Sequence, residues 1–102
     1  MSEFIKVTAK GEVPLNQGRT FDVKGTAVAV FNVNGQFCAI SNTCLHRGGP
    51  LGEGDLEGTV VTCPWHGWQF DVTTGVSPVN PAAKVKTFPC KLEGDDICVE
   101  VD

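Results

Sequence analysis

The chain has 102 residues, of which 41% are hydrophobic and 20% charged, a balance typical of one globular domain and not of a disordered chain. The formal net charge of −4 and the lack of a basic stripe argue against a nucleic-acid-binding function. No apolar run approaches the ~20 residues of a membrane-spanning helix, and the N-terminus Met1–Lys6 lacks the features of a signal peptide, so we expect a soluble cytoplasmic protein.

Short runs of β-branched and aromatic residues, separated by Gly, Pro, Asn or Asp, predict a fold made almost entirely of strands. The first clear pair, Val28–Val33 and Phe37–Ile40, flanks Asn34-Gly35, a dipeptide that suits a tight hairpin because it tolerates positive φ angles. No 3.6-residue apolar period is long enough to predict a helix. The predicted fold class is therefore all-β, as a sandwich or a small barrel.

The middle of the chain, Asn42–Gly58, is rich in glycine and poor in strand signal. A loop of this length without secondary structure of its own usually holds a ligand. Strand signals resume after it, and we predict strands at Thr59–Thr62, Trp68–Val72, Val85–Leu92 and Ile97–Val101. Turns are predicted at Thr74-Gly75 and, between the last two strands, at Glu93–Asp96.

The five cysteines are an odd number, which makes a poor disulfide framework in a reducing compartment. Cys38, Cys90 and Cys98 lie in apolar strands, where cysteine behaves as a small hydrophobic residue, so we expect them to pack. The other two cysteines are candidate ligands.

Two short motifs accompany the glycine-rich loop, Cys44-Leu45-His46 and Cys63-Pro64-Trp65-His66-Gly67, and they contain both histidines of the chain. Thiolate and imidazole ligands suit zinc or an iron–sulfur centre. A zinc finger usually groups its cysteines in one pair and its histidines in another. Here each motif supplies one of each, which favours a two-iron cluster with both thiolates on one iron and both imidazoles on the other. A mononuclear zinc site remains the alternative.

The chain resembles the Rieske family, whose pattern is C-x-H and then C-x-x-H after about sixteen or more residues. The sixteen residues Arg47–Thr62 separate the two motifs here. The stretches Cys44–Leu51 and Cys63–Asp71 also match the family's loops. The resemblance implies a [2Fe–2S] cluster held by Cys44, His46, Cys63 and His66.

The resemblance also implies the arrangement of the fold. A Rieske-type β-sandwich, formed by about Met1–Ala39 and Pro81–Asp102 of a single domain, would carry an inserted cluster-binding subdomain of about Ile40–Asn80. The two ligand motifs would lie at the tip of this subdomain. A third loop, Ser77–Pro81, would cover the cluster.

Members of the family with high potentials carry an extra disulfide, whose positions are occupied here by Gly49 and Trp65. They also place a serine and a tyrosine hydroxyl against the cluster sulfurs, where this chain has Trp68 and Phe70. Hydrogen bonds to sulfur stabilise the reduced cluster. The resemblance therefore predicts a potential at the low end of the Rieske range of roughly −150 to +300 mV. The ligand histidines should titrate, so we expect the potential to fall at alkaline pH.

The expected function is electron transfer and not catalysis by this chain. An oxygenase would need further histidines for a mononuclear iron, and both histidines here are already used. We expect a ferredoxin, monomeric when free, that carries electrons from a flavin reductase to a terminal oxygenase. The alternative is the Rieske small subunit of a cytoplasmic NAD(P)H-dependent nitrite reductase, in contact with the large subunit. A non-redox role, with the cluster as a structural staple or a sensor, is the alternative from another class.

Overall fold

The computed structural model of the protein describes residues 3–42, 50–65 and 67–101. Ten strands and two single turns of 3-10 helix follow one another in these ranges. The strands are β1 (Glu3–Ala9), β2 (Gly18–Val23), β3 (Thr26–Val33), β4 (Gln36–Ser41), β5 (Asp55–Glu57), β6 (Val60–Thr62), β7 (Gln69–Asp71), β8 (Thr87–Phe88), β9 (Cys90–Glu93) and β10 (Asp96–Val101). The helical turns are Lys10–Glu12 and Leu51–Glu53, and at three residues each neither could traverse a bilayer.

The described strands form three antiparallel sheets, which confirms the all-β prediction. The first sheet has the order β1-β10-β9, the second β2-β3-β4-β8 and the third β5-β6-β7. The third sheet spans residues 55–71 and so falls within the predicted insert. The boundaries predicted at about residues 40 and 80 stay predictions.

Two hydrophobic cores separate the three sheets. The basal core lies between the first and second sheets and contains Val13, Val23, Val28, Val30, Ala39, Phe88, Ile97, Val99 and Val101. The upper core lies between the second and third sheets and contains Ala29, Phe31, Ile40, Leu51, Val61, Cys63, Phe70, Val72, Ala83 and Val85. Successive side chains of a strand point to opposite faces of its sheet, so β3 supplies both cores. Its residues 28–31 are all fully buried.

The hairpin predicted at Asn34-Gly35 is confirmed. β3 and β4 pair from Val28↔Ser41 to Val33↔Gln36, so two residues connect them. Asn34 and Gly35 have φ angles of 53° and 93°. Two positive φ angles in a two-residue connection are the signature of a type I′ turn, whose twist matches that of the strands.

The single strand predicted over Val85–Leu92 is wrong, because the structure divides it at Pro89. β8 pairs with β4 in the second sheet, whereas β9 pairs with β10 in the first. Proline lacks the N–H that a continuous ladder would use, and the chain changes sheets at this residue. The hairpin predicted around Glu93–Asp96 is confirmed, since these two residues are paired across its turn.

The prediction that Asn42–Gly58 lacks secondary structure is wrong for its second half. Leu51–Glu53 forms a 3-10 turn whose Leu51 is fully buried in the upper core, and β5 follows at once. β5 alternates exposed, half-buried and exposed side chains. Three residues are too few for this alternation to be recognised in the sequence.

Candidate metal centre

Of the four ligands predicted from the sequence, Cys63 lies within the described residues, while Cys44, His46 and His66 lie outside them. Cys63 directly follows β6 and is 2% exposed, with its side chain in the upper core. Its backbone N–H donates a hydrogen bond to the carbonyl of Trp68 at 2.6 Å. This hydrogen bond continues the pairing of β6 with β7. It joins Cys63, the first residue of the second motif, to Trp68, which follows the last.

The opposite end of the third sheet is fixed by Asp71, at the end of β7. Its carboxylate accepts hydrogen bonds from the Thr59 hydroxyl at 3.1 Å and from the backbone N–H of Thr73 at 2.8 Å. Burial by itself would raise the pKa of Asp71, but the hydrogen bonds from Thr73, Thr59 and Thr74 outweigh it and the pKa is lowered. The ionised carboxylate of Asp71 therefore joins the end of β7 to Thr59, just before β6, at the end of the hairpin opposite the second motif.

Asn42 and Leu51 flank the segment that contains the first motif in the sequence, and backbone and side-chain hydrogen bonds of Asn42 join the two flanks. The N–H of Leu51 donates to the carbonyl of Asn42 at 2.8 Å, and the N–H of Asn42 donates to the carbonyl of Ala27 at 3.0 Å. The side-chain oxygen Oδ1 of Asn42 accepts from the N–H of Gly52 at 2.7 Å and from the hydroxyl of Thr20 at 3.0 Å. Nothing in the sequence indicated that Asn42 makes these connections, apart from its position two residues before Cys44.

The turn that follows this segment lies directly against β2, and glycine at position 52 makes this approach possible. A Cβ atom on Gly52 would lie 2.5 Å from Oγ1 of Thr20 and 2.9 Å from the carbonyl carbon of Arg19. Both distances are shorter than real Cβ contacts. Any larger residue would push the turn away from β2.

The third predicted loop, Ser77–Pro81, is shaped by a buried serine. The Ser77 hydroxyl oxygen accepts from the N–H groups of Val79 at 3.3 Å and Asn80 at 3.2 Å, and the Ser77 side chain is 3% exposed. This loop and residues 67–69, at the end of the second motif and just after it, line a cleft of about 190 Å³. Its lining residues are Gly67, Trp68, Gln69, Ser77, Val79 and Asn80. That the loop covers a cluster stays a prediction.

The aromatic residues near the second motif differ in exposure. Phe70 is fully buried in the upper core, and the ring of the half-buried Trp68 lies 6.4 Å from it. Trp65 is 50% exposed, and Val79 on the neighbouring loop is 75% exposed. Two large apolar side chains are therefore available at the surface near the predicted ligands.

The cysteines predicted to pack do so. Cys98 is 5% exposed, Cys38 packs against the upper core and Cys90 against the basal core. Burial, together with the neighbouring Cys38 and Cys98 thiols, raises the pKa of Cys90 to about 12. Burial also raises the pKa of Cys38 and Cys98, so all three thiols stay protonated at neutral pH.

The donor that the structure describes fits a thiolate-bound metal centre. Cys63 is a thiol at the end of a sheet, screened from water by the upper core, and soft thiolate ligands suit iron–sulfur clusters and zinc. No three His, Cys, Asp or Glu side chains converge on a metal site within residues 3–42, 50–65 and 67–101. Three of the four predicted ligands fall outside those ranges.

Comparison with known proteins identifies relatives along nearly the whole chain. The sequence model of the Rieske [2Fe-2S] domain matches residues 3–89. The ferredoxin component of biphenyl 2,3-dioxygenase from Rhodococcus jostii (strain RHA1) is 37% identical over 98 residues, which cover 95% of this chain and 92% of that protein.

Solved structures give the same result. Sphingomonas yanoikuyae B1 ferredoxin matches with a TM-score of 0.88 at 27% identity, over 98% of this chain and 100% of that one. A chain in the complex of reduced oxygenase and oxidized ferredoxin of carbazole 1,9a-dioxygenase matches with a TM-score of 0.85 at 32% identity. That match covers 94% of this chain and 91% of the other.

Proposed function

This chain belongs to the Rieske [2Fe–2S] family, and we propose that it is the ferredoxin component of an oxygenase system, which carries single electrons from a flavin reductase to a terminal oxygenase. The observation that carries this proposal is the similarity, over 95% of the chain, to a protein that is itself such a component. The chain is thus an electron carrier and does not act on the organic substrate.

The proposed ligands are Cys44 and Cys63 on one iron and His46 and His66 on the other. When bound, the cluster supplies reversible one-electron oxidation and reduction, at a potential above that of an all-cysteine centre. The burial of Cys63 and its place between β6 and β7 support its assignment. The assignment of the other three rests on the match of both motifs to the family pattern.

The described residues supply the surroundings that such a centre needs. The upper core keeps water from one side of Cys63, and a low local dielectric strengthens the interaction of a thiolate with a metal. The hydrogen bond from Cys63 to Trp68 holds the backbone of the second motif, and those around Asn42 hold the two ends of the first-motif segment. Geometry fixed in this way reduces the rearrangement that accompanies a change of charge.

We place the contact with the redox partners near the exposed side chains of Trp65 and Val79. These two apolar groups lie next to the second motif and on the third loop, so a partner that covers them approaches the proposed ligands. We also place the protein in the cytoplasm, where its thiols, among them Cys38, Cys90 and Cys98, would stay reduced.

Reconstitution tests the proposed function. The purified holoprotein is mixed with NAD(P)H, a flavin reductase and a terminal oxygenase of the aromatic-ring dioxygenase type, and substrate oxidation is followed against added ferredoxin. We expect turnover that depends on the holoprotein and is lost with Cys63→Ala. Stable co-purification with a large sirohaem flavoprotein, without support of oxygenase turnover, would instead identify a nitrite reductase subunit. Normal turnover with the variant would also contradict the proposal.

A further inference from the structure

Three polar side chains are buried within the described ranges: Asn32 and Asn42, each 8% exposed, and Ser77, 3% exposed. Burying an amide costs free energy unless its atoms are hydrogen-bonded. The hydrogen-bond partners of each buried asparagine therefore show which segments it connects. Asn32 donates to the carbonyl of Val13 at 3.0 Å and accepts from the N–H of Gly35 at 2.8 Å. It therefore fixes a loop and a hairpin of the basal part of the molecule.

Asn42 holds a different set of groups, on the path to the first ligand motif. Its backbone bonds to Ala27 and Leu51 do not depend on the side chain, but its Oδ1 atom receives two further donors. One is the N–H of Gly52, in the turn that follows the first-motif segment, and the other is the hydroxyl of Thr20 in β2. One oxygen atom thus joins the start of this segment, its end and the neighbouring sheet.

Asn42 lies close in the sequence to Cys44, one of the proposed ligands. Residues 43–50 begin directly after Asn42 and end directly before Leu51, whose N–H is bonded to the Asn42 carbonyl. Cys44 is two residues from Asn42, and the chain advances at most about 3.3–3.6 Å per residue. A shift of Asn42 relative to Gly52 would therefore be transmitted toward Cys44 along no more than two residues of chain.

We propose that Asn42 is the positioning residue of the first ligand motif: its Oδ1 sets the separation between the two ends of the segment that carries Cys44 and His46. This inference rests on the proposed cluster function. Asn42 itself is not a ligand, and it acts through Gly52 and Thr20. The close approach of Gly52 to Thr20 supports it, because a side chain at position 52 would separate the two donors that Asn42 joins.

Three variants at two equally buried asparagines form the test. Asn42→Ala removes the connecting oxygen, Asn42→Asp keeps an acceptor oxygen in its place, and Asn32→Ala removes an equally buried amide from the basal part. Each holoprotein is characterised by iron content, by its low-temperature EPR spectrum, and by the rate at which visible absorbance decays in the presence of an iron chelator. Circular dichroism at the same temperature reports whether the fold is intact.

We expect Asn42→Ala to lose its cluster about tenfold faster than the wild type and to show shifted EPR g values, because the ligand geometry changes. Asn42→Asp should return the rate to within about twofold of wild type. Asn32→Ala should lower the melting temperature while leaving the rate and the EPR spectrum unchanged. Should Asn42→Ala fail to fold, Thr20→Val, which removes one donor to the same oxygen, should still accelerate cluster loss about threefold.

Two results would overturn the inference while leaving the proposed function intact. One is a normal EPR spectrum and wild-type decay in Asn42→Ala, or in Thr20→Val if Asn42→Ala does not fold. The other is equal acceleration of decay by Asn42→Ala and Asn32→Ala, which would mean that Asn42 contributes only to general stability. A wild-type protein without iron would overturn the proposed function, and this inference with it.

Discussion

The basal core and the upper core share β3 but are closed in different ways. The basal core is covered by long strands, β1 with seven residues and β10 with six, and its fully buried members are hydrocarbon side chains. The upper core is covered by β5, β6 and β7, which have three residues each, and it includes the thiol of Cys63. Strands of three residues are short beside the usual five or six.

This difference indicates how the two regions are stabilised. Burial of an aliphatic or aromatic side chain contributes roughly 1.5–3 kcal/mol, and the basal core gathers such contributions along paired strands. The third sheet contributes two of them, Val61 and Phe70, and relies also on the hydrogen bonds of Asp71 at the end of β7. A bound metal centre stabilises the residues that ligate it. We therefore expect the upper region, and not the basal region, to depend on the cluster.

The largest effect should come from removing a ligand. Cys63→Ala should abolish the cluster, because three remaining ligands leave one iron incompletely coordinated, and iron content should fall to near zero. Cys98→Ala is the matched control, since Cys98 is also buried but lies in the first sheet. It should retain full iron content and the wild-type absorbance spectrum. Equal iron loss in both variants would contradict the division into two regions.

Removal of the cluster from the wild-type protein should loosen one region selectively. Hydrogen exchange of the amides in β5, β6 and β7 should accelerate by about tenfold or more, because local opening is no longer opposed by metal binding. Amides of β1 and β10, in the first sheet, should change by less than about threefold. Mass spectrometry of peptides from the two regions measures both. A uniform acceleration would show that the cores unfold together.

The sequence was most informative where local chemistry decides the structure. The hairpin at Asn34-Gly35 and the candidate ligand Cys63 could both be identified from a few adjacent residues. The strand change at Pro89 was missed because residues 85–92 read as one apolar run. β5 was missed because three residues carry no period, and Asn42 because its bonds reach residues 22 positions before it and 10 after it.

An added hydroxyl in the upper core should raise the reduction potential. Phe70→Tyr introduces the phenol that the family resemblance implies for high-potential members at this position, and a hydrogen bond to a cluster sulfur would stabilise the reduced form. A bond worth about 1.4 kcal/mol corresponds to roughly 60 mV for one electron. Phe88→Tyr, in the basal core, should leave the potential unchanged. Equal potentials for the two variants in a redox titration would contradict this assignment of position 70.

The smallest effect should be the pH dependence contributed by Asp71. Its pKa is lowered in the folded protein, so its charged form stabilises the fold above the unfolded-state pKa of about 3.9. That contribution is lost as the pH falls through the lower folded-state value. Asp71→Asn should reduce the free energy of unfolding at pH 7 by about 1 kcal/mol and flatten its decline below pH 4. Denaturant unfolding at pH 7 and pH 3 measures this, and an unchanged decline would show that Asp71 is not responsible.

Above all, we propose that the upper region holds a Rieske cluster that exchanges one electron. A redox titration of the purified protein, followed by visible absorbance and low-temperature EPR at several pH values, tests it most directly. We expect a one-electron centre with the EPR signature of nitrogen-ligated iron and a potential toward the low end of roughly −150 to +300 mV, falling at alkaline pH. A colourless protein containing zinc, or a potential well above zero that stays flat with pH, would contradict it.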